Sequence, residues 1–119
     1  MDDLPVQYLR GIELFNAGEY FECHEAWEEI WLKYEGAERQ LLYALIQSAV
    51  ALHHLRRGNW KGAASVYKRA RRNLEQLPHT IMQLDIQSFA QQLDHCFSAA
   101  LSAEQPIPSF PKILLQPER

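Results

Sequence analysis

The sequence predicts an all-α protein: an antiparallel multi-helix bundle of about five helices with an extended, proline-rich C-terminal tail. Three observations predict it. Apolar residues recur every three or four positions through most of the chain. No stretch alternates apolar and polar residues for long enough to build a sheet. Glycine occupies five positions, and Gly18, Gly36 and Gly58 fall where the helical periodicity breaks. A length of 119 residues is room for one domain with one core, and 47% apolar with 23% charged residues is the balance of a folded chain.

Tyr8, Leu9, Ile12 and Phe15 are the apolar positions of a first helix expected from about Leu4 to Ala17, with Gly18 as its stop. A second is expected from about Glu19 to Tyr34. Its inward face is Tyr20, Cys23, Trp27, Ile30, Trp31 and Tyr34, and Glu22, Glu25 and Glu29 lie opposite. The third, from about Ala37 to Arg57, is apolar on nearly all sides through Leu41, Leu42, Leu45, Ile46, Ala49, Val50, Leu52 and Leu55, which places it at the centre. The fourth, from about Trp60 to Leu77, carries one stripe of Trp60, Ala63, Tyr67, Ala70, Leu74 and Leu77 and ends before Pro78. The fifth takes Asp85 as its N-cap and runs to about Ser102, with Ile86, Phe89, Leu93, Cys96, Phe97 and Ala100 inward. Beyond Gln105, Pro106, Pro108, Pro111 and Pro117 forbid a helix, while Ile107, Phe110, Ile113, Leu114 and Leu115 are too apolar for a free linker. Residues 1–104 therefore read as the bundle, and 105–119 as an extended tail packed on the domain or on a partner. The Gly58-Asn59 and Gly62-Ala63 hairpin is like one tetratricopeptide unit, but a solenoid needs about three such units.

A formal net charge of -3 gives no bulk attraction to nucleic acid or to an anionic membrane. Charge is nonetheless segregated. Arg56, Arg57, Lys61, Lys68, Arg69, Arg71 and Arg72 form a run with no acidic residue, whereas Glu19 to Glu29 holds glutamates and no base. Such a basic face can meet a phosphate backbone, an acidic protein or a second copy of the chain. Cys23 and Cys96 are far apart and lie on apolar faces, which reads as two buried thiols in a reducing compartment. With no signal pattern and no spanning apolar stretch, a cytoplasmic location is expected.

One constellation suggests chemistry. His24 and Glu28 are four apart on the second helix, hence neighbours, with Trp27 and Trp31 beside them. Gln47 and His54 are seven apart on the third, aligned with Tyr43 and Val50. If the two stripes face each other, His24, Glu28, Gln47 and His54 converge in one apolar pocket, the usual setting of a ligand site. His24, Glu28 and His54 could then hold a divalent metal with an open position. The zinc-protease helix motif is not met, because Glu28 stands where its second histidine belongs, and the Glu-x-x-His pairs of di-iron bundles are absent. The same four residues also fit acid–base chemistry without metal, or a buried polar network that fixes helix register and needs no cofactor. His53, His79 and His95 read as single surface or boundary histidines.

The segment Phe15-Asn16-Ala17-Gly18-Glu19-Tyr20-Phe21-Glu22-Cys23-His24-Glu25-Ala26-Trp27-Glu28-Glu29-Ile30-Trp31 resembles the signature of domain-of-unknown-function family 309. Leu45-Ile46-Gln47, Ala51, His54 and the hairpin at Gly58 fit the same pattern, so the resemblance runs from about Gln7 to Leu77. The chain departs from it at Leu42 and Ala44, where Gln and Gly are expected. The resemblance implies a helical bundle with a polar cluster at His24, Glu28, Gln47 and His54, and it implies no reaction. Two functions follow: a polar pocket between the second and third helices that binds a metal ion or small ligand, or a non-catalytic interaction module that uses the basic Arg56–Arg72 face toward RNA or an acidic protein.

Overall fold

Five helices in chain order account for most of the fold, as α1 (Val6–Asn16), α2 (Tyr20–Glu28), α3 (Gly36–Arg56), α4 (Trp60–Glu75) and α5 (Ile86–Leu101). A 3-10 turn (Trp31–Lys33) follows α2, and a two-stranded hairpin of β1 (Thr80–Ile81) and β2 (Leu84–Asp85) precedes α5. The structure, a computed structural model, describes residues 4–102 and 110–116. The expectations for Pro106, Ile107, Pro108 and Pro117 lie outside the described residues.

Side-chain pairs set the helix directions. Phe15 meets Tyr20 at 5.4 Å across α1 and α2, and Trp31 stacks on Tyr43 while Phe21 reaches His53 across α2 and α3. Tyr67 stacks on Phe97 at 4.4 Å across α4 and α5. The start of α2 (Phe21) meets the end of α3 (His53), while the segment after α2 (Trp31) meets the first half of α3 (Tyr43), so these neighbours run antiparallel, as short connections require. The all-round apolar α3 is central: Leu41, Leu42, Leu45, Leu52 and Leu55 are buried.

The tightest contact sits between α1 and α2. Trp27 is fully buried, and its indole N–H donates to the Tyr8 carbonyl at 3.2 Å. A Cβ on Gly11 would lie 2.0 Å from the Trp27 Nε1 atom, so the absent side chain at position 11 is the socket for the indole. α2 ends six residues earlier than the periodicity suggests. A continuous helix would keep Trp27 and Trp31 on one face. The break at Glu29 and Ile30 instead sends Trp27 into the core and lets Trp31 stack on Tyr43, half-buried at the surface. Arg39 holds the broken segment by donating to the carbonyls of Tyr34 at 2.7 Å and Leu32 at 3.2 Å.

Two other expectations change. Leu9 and Trp60 belong to predicted apolar faces, yet they are 38% and 44% exposed. The hairpin is not foreshadowed in the sequence, since its turn places Met82 and Gln83 at φ of 50° and 63° without the usual Asn or Gly. The Tyr8 hydroxyl donates to the Met82 carbonyl at 3.0 Å and the Gln116 amide to the Gln83 carbonyl at 2.8 Å, which secures that conformation. The described part of the tail lies across the bundle. Asn16 bonds Ile113 twice, donating to its carbonyl at 2.8 Å and accepting from its amide at 2.7 Å, and Ile113 is buried.

Alanine normally stabilises a helix interior over glycine by about 1 kcal/mol. At Gly11 the Trp27 socket reverses the sign: Gly11→Ala should lower stability by about 2 kcal/mol in urea unfolding, in the range of overpacked cores. An unchanged or raised midpoint would show that the indole moves aside freely.

Candidate functional site

The structure does not bring His24, Glu28, Gln47 and His54 into one hydrogen-bonded cluster. His24 Nε2 lies 3.3 Å from Glu28 Oε1, and their side chains are 25% and 51% exposed. Gln47 is buried but turns to α4, where its Oε1 accepts from Asn73 Nδ2 at 2.7 Å. His54, at the end of α3, faces Asn59 with 3.4 Å between Nδ1 and Nδ2. Seven residues at 100° each leave Gln47 and His54 within about 20° of one another around α3, but the α3–α4 contact claims the amide. Among the described residues no three His, Cys, Asp or Glu side chains stand together so as to hold a metal ion, so His24, Glu28 and His54 are not a metal triad. Of the flanking tryptophans, Trp27 is in the core and Trp31 is on the surface of the α2–α3 pair.

Histidine chemistry is instead spread along the outside of that pair. Phe21, 54% exposed, lies between the rings of His24 and His53 at 6.1 and 6.2 Å. Burial first, then the charges of Arg57 and His54, hold His53 below the usual imidazole range. Burial pushes the Cys23 thiol up and the Cys96 thiol up to about 11, so both stay protonated near neutral pH and neither is an activated nucleophile.

The basic run resolves into two groups. Arg56 is used inside the fold: Nη1 donates to the Gly18 carbonyl at 2.6 Å, and the guanidinium covers the rings of Tyr20 at 4.9 Å and Phe110 at 5.2 Å. Arg71 is neutralised by Asp94, at 2.6 Å, which also accepts from the Tyr67 hydroxyl at 2.6 Å. Arg57, Lys61, Lys68, Arg69 and Arg72 are exposed, and among the described residues none has a carboxylate partner. Four of them line a shallow groove on α4 together with Ala64 and Ser65. The groove follows from helix geometry. Residues four apart form ridges, here Trp60-Ala64-Lys68-Arg72 and Lys61-Ser65-Arg69. The small Ala64 and Ser65 keep its floor low, and long cationic side chains make its walls.

The rotation of α4 that turns this groove outward is set from behind. Ala63 and Ala70 are fully buried, Leu74 is nearly so, and Asn73 is tied to Gln47. Sequence reasoning identified the basic residues. It missed that Gln47 belongs to α4's seating and that Trp60, one turn before Ala64 on α4, is exposed.

Fold and side chains together define a small antiparallel helical bundle with a buried amide pair and segregated surface charge. The chain belongs to the domain-of-unknown-function family DUF309, whose model matches residues 8–75. It is 30% identical over 73 residues to an uncharacterised protein of Aquifex aeolicus, covering 60% of this chain and 22% of that protein. It is 42% identical over 59 residues to the uncharacterised protein YpuF of Bacillus subtilis, covering 49% of this chain and 33% of that protein. The chain thus spans a third or less of the curated relatives it matches. A conserved hypothetical protein of Thermus thermophilus has the same fold in its crystal structure, with a TM-score of 0.70 and 35% identity over 81% of this chain and 99% of that one. Among the described residues no helix is long and apolar enough to cross a membrane.

The two polar pairs should respond differently to truncation. Gln47→Ala leaves the Asn73 amide without its acceptor and should lower stability by about 1–2 kcal/mol in urea unfolding. His24→Ala removes a solvent-screened pair and should cost under about 0.5 kcal/mol. A larger loss at His24 than at Gln47 would contradict this assignment of the buried network.

Proposed function

We propose that this chain is a non-catalytic interaction module that docks a linear polyanion along the outer face of α4. The single observation that carries the proposal is the groove of Lys61, Lys68, Arg69 and Arg72, whose charges no carboxylate among the described residues satisfies. Exposed cations without a carboxylate partner gain most from an anionic ligand with several charges in a row, because each contact adds and each releases a bound counterion. Both α2 and α4 pack against α3, and among the described residues Glu25 and Glu28 of α2 form no ion pair with the groove cations, so they do not neutralise it by direct contact. A net charge of -3 does not oppose this reading, since potentials within a Debye length of about 8 Å depend on the local charges.

The alternative pocket reading loses support. It needs His24 and Gln47 to share one site, and their hydrogen bonds lead to Glu28 and Asn73. A cytoplasmic setting is part of the proposal, because two unpaired buried thiols suit a reducing compartment.

Chromatography on immobilised heparin tests it. The wild-type chain should be retained at low salt, and Lys68→Glu plus Arg72→Glu should abolish retention. Arg10→Glu plus Lys33→Glu makes the same change in net charge at exposed cations outside the groove, and should leave most of the retention in place. With four cations engaged, the logarithm of affinity for a single-stranded polyanion should fall against log salt with a slope of about -3. Equal loss in both double variants would reduce the effect to bulk charge and contradict a defined docking face.

A further inference from the structure

We infer that the polyanion is a single-stranded nucleic acid, with Trp60 as the platform on which one of its bases stacks. This rests on the docking role of α4 proposed above and names the ligand that role serves.

The three tryptophans divide cleanly. Trp27 is fully buried against Phe15 with its N–H bonded, and Trp31 stacks on Tyr43 at 5.2 Å. Trp60 is 44% exposed, and among the described residues it has no ring partner and no hydrogen bond through its indole. A large apolar ring left open to water in this way marks a contact surface when other recognition groups adjoin it. They do here. Trp60 heads the ridge that continues through Ala64 to Lys68 and Arg72, with Lys61 next to it in sequence and Arg57 just before the turn. Lys68 is eight residues after Trp60 on this ridge, about 12 Å along the axis at 1.5 Å per residue, and the small Ala64 stands between them.

An aromatic face beside a track of cations is the physical pattern of single-strand binding: stacking is tolerant of base identity, and phosphates pair along the track. From Lys61 to Arg72 the track is about 16 Å long at 1.5 Å per residue. That length matches about five nucleotides of a stacked strand at roughly 3.4 Å each. A duplex fits less well, because its bases are stacked on one another and present no free face to an indole. An acidic peptide would satisfy the cations and leave Trp60 uncovered.

Anisotropy of fluorescein-labelled 12-mers at low salt tests the inference, using single-stranded oligo-uridine, its deoxy counterpart, an RNA duplex and polyglutamate as probes. Wild-type protein should bind either single strand about tenfold tighter than the duplex or polyglutamate. Trp60→Ala should weaken single-strand binding about tenfold with the salt slope unchanged, and Trp60→Phe, which keeps a ring, should recover most of it. Oligo-uridine should quench the wild-type tryptophan emission and leave that of Trp60→Phe unquenched, although Trp27 and Trp31 remain. Thermal melts should differ by only a few degrees across the three proteins, since Trp60 is exposed in the first turn of α4 and is not among the buried core residues. If Trp60→Ala binds single strands as wild type does, or the duplex binds as tightly, stacking is overturned and the α4 docking face stands. If polyglutamate binds and nucleic acid does not, an acidic protein is the ligand. If Lys68→Glu plus Arg72→Glu binds every probe like wild type, the docking face itself fails and this inference with it.

Discussion

The rotation of α4 about its own axis governs what this protein presents to solvent. Two fully buried alanines, Ala63 and Ala70, let α4 approach α3 closely, and the 2.7 Å bond between Gln47 and Asn73 sets its angle. On the other flank Tyr67 stacks on Phe97 and joins Arg71 at Asp94 of α5. A helix held on two sides has one side left, and on α4 that side is Lys61, Ser65, Lys68 and Arg72. The arrangement enforces itself. Turning α4 by one residue would press Lys68 or Arg72 toward the core, and an unpaired buried cation costs several kcal/mol. Gln47, which the sequence presented as one member of a ligand pocket, thus works with Asn73 as a register device for the neighbouring helix.

The second constraint lies between α1 and α2. The Trp27 indole needs the missing side chain of Gly11 and the Tyr8 carbonyl, and that seat fixes α1 against α2. It also separates Trp27 from Trp31, which is why α2 breaks at Glu29 and a 3-10 turn follows. Glutamates gather on α2 and bases on α4, two helices that each pack against α3. The chain therefore carries a small net charge and two strong local fields. The described tail closes the α1–α2 end, through Asn16 on Ile113 and the Arg56 guanidinium over Phe110.

Periodicity made most of the fold legible. The central α3, the Asp85 cap of α5 with its 3.0 Å bond to the Ser88 amide, and the inward Phe89, Leu93, Cys96 and Phe97 follow directly from spacing and residue type. The failures share a cause, which is competition between elements that a single helix's pattern does not contain. Trp31 and Tyr34 fit the α2 stripe, but packing against Tyr43 and the Arg39 contacts drew them off it. The β1–β2 turn has no signature of its own and depends on Tyr8 and Gln116 from distant parts of the chain. In the candidate site, His24 and Glu28 were correctly paired, because that contact is local. Gln47 was assigned to the wrong neighbour, because which face of α3 meets α2 and which meets α4 depends on tertiary packing. The basic run was visible as composition, but only coordinates separate Arg56 and Arg71, which are used internally, from the cations that remain free.

The central claim is that α4's outer ridges form the docking face. Backbone amide shifts recorded while oligo-uridine is titrated into the labelled chain test it most directly. Perturbations should concentrate from Arg57 to Arg72, strongest around Trp60 and Lys68, with the Trp60 indole N–H moving as well. Shifts centred on His24, Phe21 and His53, or a spectrum unmoved at low salt by oligo-uridine and by polyglutamate alike, would contradict it.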